Sequence, residues 1–191
     1  SQMGFILLGL GLSPLSPWGL VGVVAHILNH AIGKGCLFMC AGAISQQEGL
    51  RDIRDFEGLG KKMPHVCAAF TIAALSMIGI PLTAGFASKL FLIVASLDAA
   101  QYPFVAVLLL SGLLNLVYFW RVIDQMYFVK HKGAENAVEV RETGKPLPLS
   151  MVAPILILAS LCIIMGIIWL TNIPMPLINH ILSNLRMGVT L

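Results

Sequence analysis

Long apolar runs alternate with short polar interruptions along this chain, and the lengths of the runs predict its elements. Residues 3–12 (MGFILLGLGL) are apolar and end in Ser13-Pro14-Leu15-Ser16-Pro17, a turn-forming string. The run has no basic start, unlike a signal peptide, and is short for a span, so it reads as the back half of a helix whose front half precedes the chain. A long helix is expected from about Trp18 to Ile44, reaching about 40 Å, enough to cross a bilayer core. A polar loop follows over 45–64. Residues 65–80 are then apolar for about 24 Å as a helix, and residues 86–98 resume the pattern for about 20 Å. Between them stands Pro81-Leu82-Thr83-Ala84-Gly85. Neither half is comfortable as a span of its own, so the pattern predicts one span broken midway at Pro81 and Gly85. Two further spans are expected, Pro103 to about Phe128 and Leu149 to about Leu170, with a polar loop over 129–148 between them. In the tail, Leu177, Ile178, Ile181, Leu182 and Leu185 repeat at helical spacing opposite Asn179, Ser183 and Arg186, which predicts a short interfacial helix.

No run alternates with period two, which argues against a β-barrel. The expected fold is therefore all-α: a polytopic bundle of transmembrane helices with one discontinuous helix. Composition sharpens this by excluding a soluble domain. Hydrophobic residues make up 58% of the chain and charged residues 11%, against about 25% charged in soluble domains. Charge placement then orients the bundle. If residues 65–98 are one broken span, loops 45–64 and 129–148 share a side, and that side holds eight of the twelve Lys and Arg residues. Two separate spans would divide them four against four. The positive-inside rule thus favours the broken span, with both basic loops cytoplasmic, in the cell membrane of a bacterium or archaeon.

The candidate chemistry lies inside the apolar helices. His26, His30 and Lys34 stand four apart and form a slowly turning stripe about 12 Å long. Ionisable groups at membrane depth are costly and by default mark a pathway. Histidine titrates near neutral pH, and a desolvated lysine releases its proton more readily, so such a stripe can pass protons. The competing reading has Lys34 snorkelling and the histidines bonding across helices, but Lys34 lies well before the helix end. Lys89 sits just beyond the break, where freed carbonyls and amides can hold ions or water. Its structural alternative is to cap those carbonyls. Arg121 and Asp124, three apart, read as a supporting local ion pair. Cys36, Cys40, Cys67 and Cys162 all lie in apolar segments and read as packing residues; two cysteines at one helix spacing do not make a zinc site. No phosphate-binding loop, nucleophile–base pair or cofactor motif appears, so no metal, cofactor, nucleic acid or catalytic residue is expected.

At these residues the sequence resembles a known family. The strings HILNHAIGKGCLFMCAGAI (26–44), GLGKKMP (58–64) and ALSMIGIPLTAGFASK (74–89), with SQMGF at the start, resemble the proton-conducting antiporter-like subunits of respiratory complex I, related hydrogenases and Mrp cation/proton antiporters. The context of Asn29 and Gly33 looks closest to the D branch of the Mrp antiporters. The resemblance covers residues 1–128 and implies the second of two inverted repeats, truncated at its first helix, followed by a cytoplasmic loop (129–148) and an additional span with an amphipathic tail (149–191). It implies that His26, His30 and Lys34 belong to a central proton path, with Lys89 as its terminal lysine. It also implies a lipid-embedded hetero-oligomer handling protons and, in an Mrp-type exchanger, Na+. The chain carries no quinone, flavin or iron–sulfur ligand pattern, so in a complex I or hydrogenase setting the redox chemistry belongs to partner subunits. A structural membrane protein that packs partners without conducting is the alternative from another class.

Overall fold

A computed structural model describes residues 2–50, 52–129, 147–171 and 183. They form seven α-helices and a 3-10 turn: α1 (Gln2–Leu12), α2 (Pro17–Glu48), the turn Ile53–Asp55, α3 (Leu59–Lys62), α4 (Pro64–Ile78), α5 (Ala84–Asp98), α6 (Tyr102–Tyr127) and α7 (Leu149–Leu170). The interfacial helix expected in the tail lies outside the described residues, apart from Ser183. Loop 129–148 is described only at its ends. Helices α2, α6 and α7 are each long and apolar enough to cross a bilayer.

Local chemistry fixes the ends. Buried Ser16 caps α2, accepting a hydrogen bond from the Trp18 amide through its Oγ at 3.3 Å, and Pro17 occupies the first position, where no amide donor is needed. At the other end Gly49 turns the chain with φ 69°, a left-handed conformation that favours glycine. The turn and α3 give structure to a stretch read from sequence only as polar loop. Charge spacing and apolar periodicity are too short there to signal a helix.

Helix α2 is the axis of the fold, and its contacts run in strict antiparallel order along α4 and α5. Cys36 Sγ lies 3.8 Å from the Ala69 carbonyl, Gly33 faces Met77, and Asn29 donates to the Ala84 carbonyl. His26 then meets Ser88, Gly22 lies against Leu92, and Ser16 donates to Asp98 at 3.0 Å. One ladder crosses the interruption without reversal, so α4 and α5 are stacked end to end beside α2. Helix α7 bridges the same two halves, with Ile155 against Cys36 on the α4 side and Trp169 edge-on to Phe91 of α5 at 5.9 Å. Helix α6 closes another side, packing Phe119, Val122, Ile123 and Met126 against the α4 core and Leu108 beside Leu92.

The interruption itself runs from Gly79 to Thr83, slightly earlier than the Pro81–Gly85 boundary read from sequence. Gly79, at φ 93°, ends α4 in a left-handed turn, Pro81 lies in the gap, and Leu82 is also left-handed at φ 72°. Gly85 is not in the gap but in the first turn of α5. Its service is close approach: a Cβ there would run into the Ser76 carbonyl. Such small-residue contacts let backbones meet where a bilayer supplies no hydrophobic drive between helices.

Candidate functional site

Breaking a helix frees backbone groups at both new ends, and each needs a partner where water is excluded. Here polar side chains take them up. Lys89 reaches back from α5 and its Nζ donates to the Met77 carbonyl at 3.0 Å and the Ile78 carbonyl at 2.7 Å, capping the C-terminus of α4. Ser76 Oγ accepts from the Gly85 amide at 3.1 Å, serving the N-terminus of α5. Asn29 Nδ2 donates to the Ala84 carbonyl at 2.6 Å, tying α2 to the same point. Thr83 Oγ1 closes the turn by donating to the Ile80 carbonyl at 2.7 Å. Lys89 is buried, and its hydrogen-bond partners are these carbonyls rather than an acid.

His26 stands one helical turn from Asn29 and is also buried. Its Nδ1 lies 3.3 Å from Ser88 Oγ, and its Nε2 lies 3.0 Å from Gln2 Oε1. The hydroxyl of Ser88 donates to the Gly85 carbonyl at 3.1 Å, which leaves its lone pairs to accept from an Nδ1–H. A neutral ring then presents Nε2 as an acceptor, which the Gln2 NH2 group can serve. A charged ring donates there instead, to the Gln2 oxygen. A half-turn of one amide therefore accommodates both states of His26. The His30 ring stacks on His26 with centroids 6.0 Å apart, and Phe5 packs edge-on to His26 at 5.2 Å. The two histidines, Asn29, Ser88 and Lys89 surround a cavity of about 10 Å³, which is room for about one water. His30 Nδ1 and Asn29 Oδ1 are buried without a partner among the described residues.

The stripe expected from sequence does not stay together. His26 faces the core, His30 and Lys34 are half-buried, and Phe38, one turn further, is 72% exposed. Lys34 makes no hydrogen bond or ion pair among the described residues; the nearest feature is the Phe38 ring, 5.8 Å from its Nζ to the centroid. A rotation of 400° per four residues explains the drift, since the stripe winds about 40° further round the helix at every step. The structure thus brings together His26, His30 and Lys89, and leaves Lys34, half-buried beside the Phe38 ring, outside that group.

One sequence expectation is overturned. Arg121 and Asp124 do not pair; among the described residues the ion pairs are Arg54–Asp52 at 2.9 Å and Lys62–Glu48 at 3.3 Å. Arg121 is exposed, and a basic residue placed before its acid on a helix is the weaker order for such a pair. Outside the spans, the Arg54 guanidinium beside Asp52 holds that carboxyl below the usual carboxylate range, chiefly through its hydrogen bonds. Sequence reasoning also gave no role to Gln2, Ser76 and Ser88. Serines in an apolar helix read as small packing residues, and only the position of Ser88 beside Lys89 could have raised it. No three His, Cys, Asp or Glu side chains converge as a metal site among the described residues.

Residues 1–115 match the family described as NADH:quinone oxidoreductase/Mrp antiporter, TM. The N subunit of the NADH-quinone oxidoreductase of Desulforudis audaxviator is 43% identical over 173 residues, covering 87% of this chain and 34% of that protein. The D subunit of the Na+/H+ antiporter of Alkalihalophilus pseudofirmus is 33% identical over 166 residues, covering 87% of this chain and 32% of that protein. Among solved structures, the Mrp complex from Dietzia sp. superposes with a TM-score of 0.74 at 28% identity, covering 87% of this chain and 38% of that one. The chain spans about a third of the length of these relatives.

Proposed function

Because the chain belongs to the family of transmembrane subunits shared by NADH:quinone oxidoreductases and Mrp antiporters, we propose that it is part of a proton-translocating subunit of a larger membrane complex, relaying protons through His26, His30 and Lys89, with Lys34 completing the path toward neighbouring helices. The observation that carries this reading is the convergence of two stacked histidines and a buried lysine on a water-sized polar cavity at a helix break. A single water there would join His30 Nδ1, Asn29 Oδ1 and the Lys89 ammonium, and the Gln2 amide serves His26 in both protonation states. Two of the three N–H bonds of the Lys89 ammonium are held by the α4 carbonyls, so the third can pass its proton to that water; the neutral amine left behind keeps both carbonyl bonds and offers its lone pair to take a proton back.

The test is pH-gradient formation by vesicles carrying the full-length protein with its partners, normalised to assembled complex. His26→Leu, which keeps bulk but removes both ring nitrogens, is expected to lose transport while the complex assembles. Unchanged transport in that variant would remove His26 from the path.

The partner setting divides two ways. A role like that of the Mrp D branch, exchanging Na+ for H+, follows from the context of Asn29 and Gly33 and from the likeness to the Mrp complex. The 43% identity to the N subunit of a quinone oxidoreductase favours a redox-driven pump, with electron transfer in other subunits. Sodium-dependent against quinone-dependent gradient formation separates them. A non-conducting, packing role also has an observation in its favour, since Lys89 caps α4 well enough to be explained by that alone.

In this reading α4 and α5 cross the membrane as one broken span, and both basic loops face the cytoplasm. Single cysteines replacing Arg54 and Glu139 should then be labelled from the same compartment. Opposite compartments would exclude this topology.

A further inference from the structure

Arg121 and Asp124, freed from the role of partners, border a cavity of about 360 Å³ at the loop-side end of α6. Ile53 and Arg54 of the 3-10 turn form its other wall, and Tyr118 and Gln125 complete it. Arg54 is already held by Asp52 through three side-chain hydrogen bonds, from its Nε and Nη2, so its charge is spoken for. Among the described residues, what remains without a partner is one cation, one anion and one acceptor: Arg121, Asp124 and the buried Oε1 of Gln125. Among the described lining residues the charges are Arg54, Arg121 and Asp124, and Asp52 on Arg54 brings their sum to zero.

The setting is a boundary. Going back along α6 from Arg121, Val117, Leu114, Leu110 and Val107 follow at spacings of four, three, four and three, one apolar stripe that ends at the arginine on a helix exposed round most of its surface. Tyr118 and Trp120, 60% and 55% exposed, stand between the apolar stripe and the charges, where aromatic side chains mark a membrane interface. A ligand lying along this path has apolar chains against the stripe and a polar head in the cavity.

We propose that the cavity binds the headgroup of a zwitterionic phospholipid carrying a phosphate and a primary ammonium, the phosphoethanolamine class. The phosphate accepts from the Arg121 guanidinium, and the ammonium donates to the Asp124 carboxylate and to Gln125. A choline headgroup has no N–H for these acceptors. A phosphoglycerol lipid or free phosphate brings net negative charge to a neutral site and sets it beside Asp124. This inference rests on α6 crossing the membrane, not on the proton relay.

The experiment places the full-length complex in nanodiscs of equal ethanolamine, choline and glycerol phospholipids and counts retained lipids by native mass spectrometry after mild detergent exchange. Ethanolamine lipid is expected to be retained about tenfold over choline lipid, a difference of about 1.4 kcal/mol. Asp124→Asn, at a half-buried position, should abolish that preference, and Arg121→Gln, at an exposed one, should lower retention of both lipids, with the thermal midpoint of the complex as the folding control. Equal retention of choline lipid, preference for glycerol lipid, displacement by inorganic phosphate alone, or indifference to both substitutions would overturn the proposal. So would photo-crosslinking from position 118 to a neighbouring subunit, which would make the cavity a protein interface.

Discussion

His26 and Lys34 sit two turns apart on the same helix, carry comparable chemistry, and end in opposite circumstances. His26 is buried with both ring nitrogens served, by Ser88 and Gln2, and with aromatic rings on two sides. Lys34 is half-buried beside the Phe38 ring, without a hydrogen bond among the described residues. A periodic stripe of ionisable residues is thus two sites, one completed inside this fold and one presented to whatever packs against α2. Burial that is matched by partners holds a geometry. An unmatched charge at membrane depth asks for a partner elsewhere.

Damage to the frame of the completed site should cost most. Gly85→Val drives a branched side chain into the Ser76 backbone, which cannot rotate away, so loss at or above the upper end of the ~1–3 kcal/mol typical of overpacking is expected. Thermal unfolding and yield of the full-length complex report it; a normal melting temperature would mean the helices are not this close.

Next in size are the lysines, where the two sites should behave differently. Lys89→Ala leaves two buried carbonyls uncapped, costing about 1–3 kcal/mol in stability as well as transport. Lys89→Arg keeps donors for those carbonyls but holds its charge at every accessible pH, so it should assemble yet transport poorly, near the level of the alanine variant. Near-normal transport by Lys89→Arg, with loss of the complex in Lys89→Ala, would leave Lys89 a helix cap. Lys34→Ala, in contrast, removes no bond within this fold. It should lower transport by about tenfold or more, an increment of ~1.4 kcal/mol in barrier, with melting unchanged. Equal loss of melting temperature in both alanine variants would erase the distinction between the sites.

Smaller still is Ser88→Ala, which takes the His26 Nδ1 partner but leaves the Gln2 contact. A loss of about 0.5–1.5 kcal/mol is expected by thermal unfolding, together with a shift in the pH profile of transport. A simple drop in assembled protein with an unaltered profile would make Ser88 a packing residue only.

The smallest effect belongs to the loop. Asp52 is depressed by Arg54, so whatever stability the pair adds is present above the ordinary carboxylate pKa of about 3.9 and fades as pH falls through the lower folded value. Arg54→Gln should return Asp52 to the ordinary range by NMR titration and leave melting near neutral pH unchanged. A large destabilisation would show that the turn is anchored through this pair.

Much of this architecture was legible in apolar run length. The helix read as Leu149 to Leu170 has those bounds, and the long helix read as 18–44 runs from Pro17 to Glu48. The broken region was legible because proline and glycine interrupt a run too short to span twice. Its limits were not, because Gly79 rather than Pro81 ends α4, and Gly85 serves packing instead of the turn. The site was half legible. His26, His30 and Lys89 are conspicuous as titratable groups in apolar surroundings, whereas Gln2, Ser76 and Ser88 become partners only through contacts between helices, which no single-helix pattern encodes. The Arg121–Asp124 pairing failed for a related reason: spacing permits contact, but an exposed arginine gains little by making it.

Gly166 of α7 has a meaning for how this protein can be divided. It lies against the Leu82 carbonyl and Thr83 so closely that no Cβ would fit, and so forms one wall of the helix break. The family match covers residues 1–115, whereas the alignment with the N subunit of the quinone oxidoreductase takes in 87% of the chain. The ionisable side chains thus lie on α2 and α5, while a later helix, α7, holds the kink between α4 and α5 in shape. A hybrid joining residues 1–115 to a relative's C-terminal helix would keep every histidine and lysine of the path and still lose its alignment, unless the donor helix brought a residue as small as glycine to that one crossing.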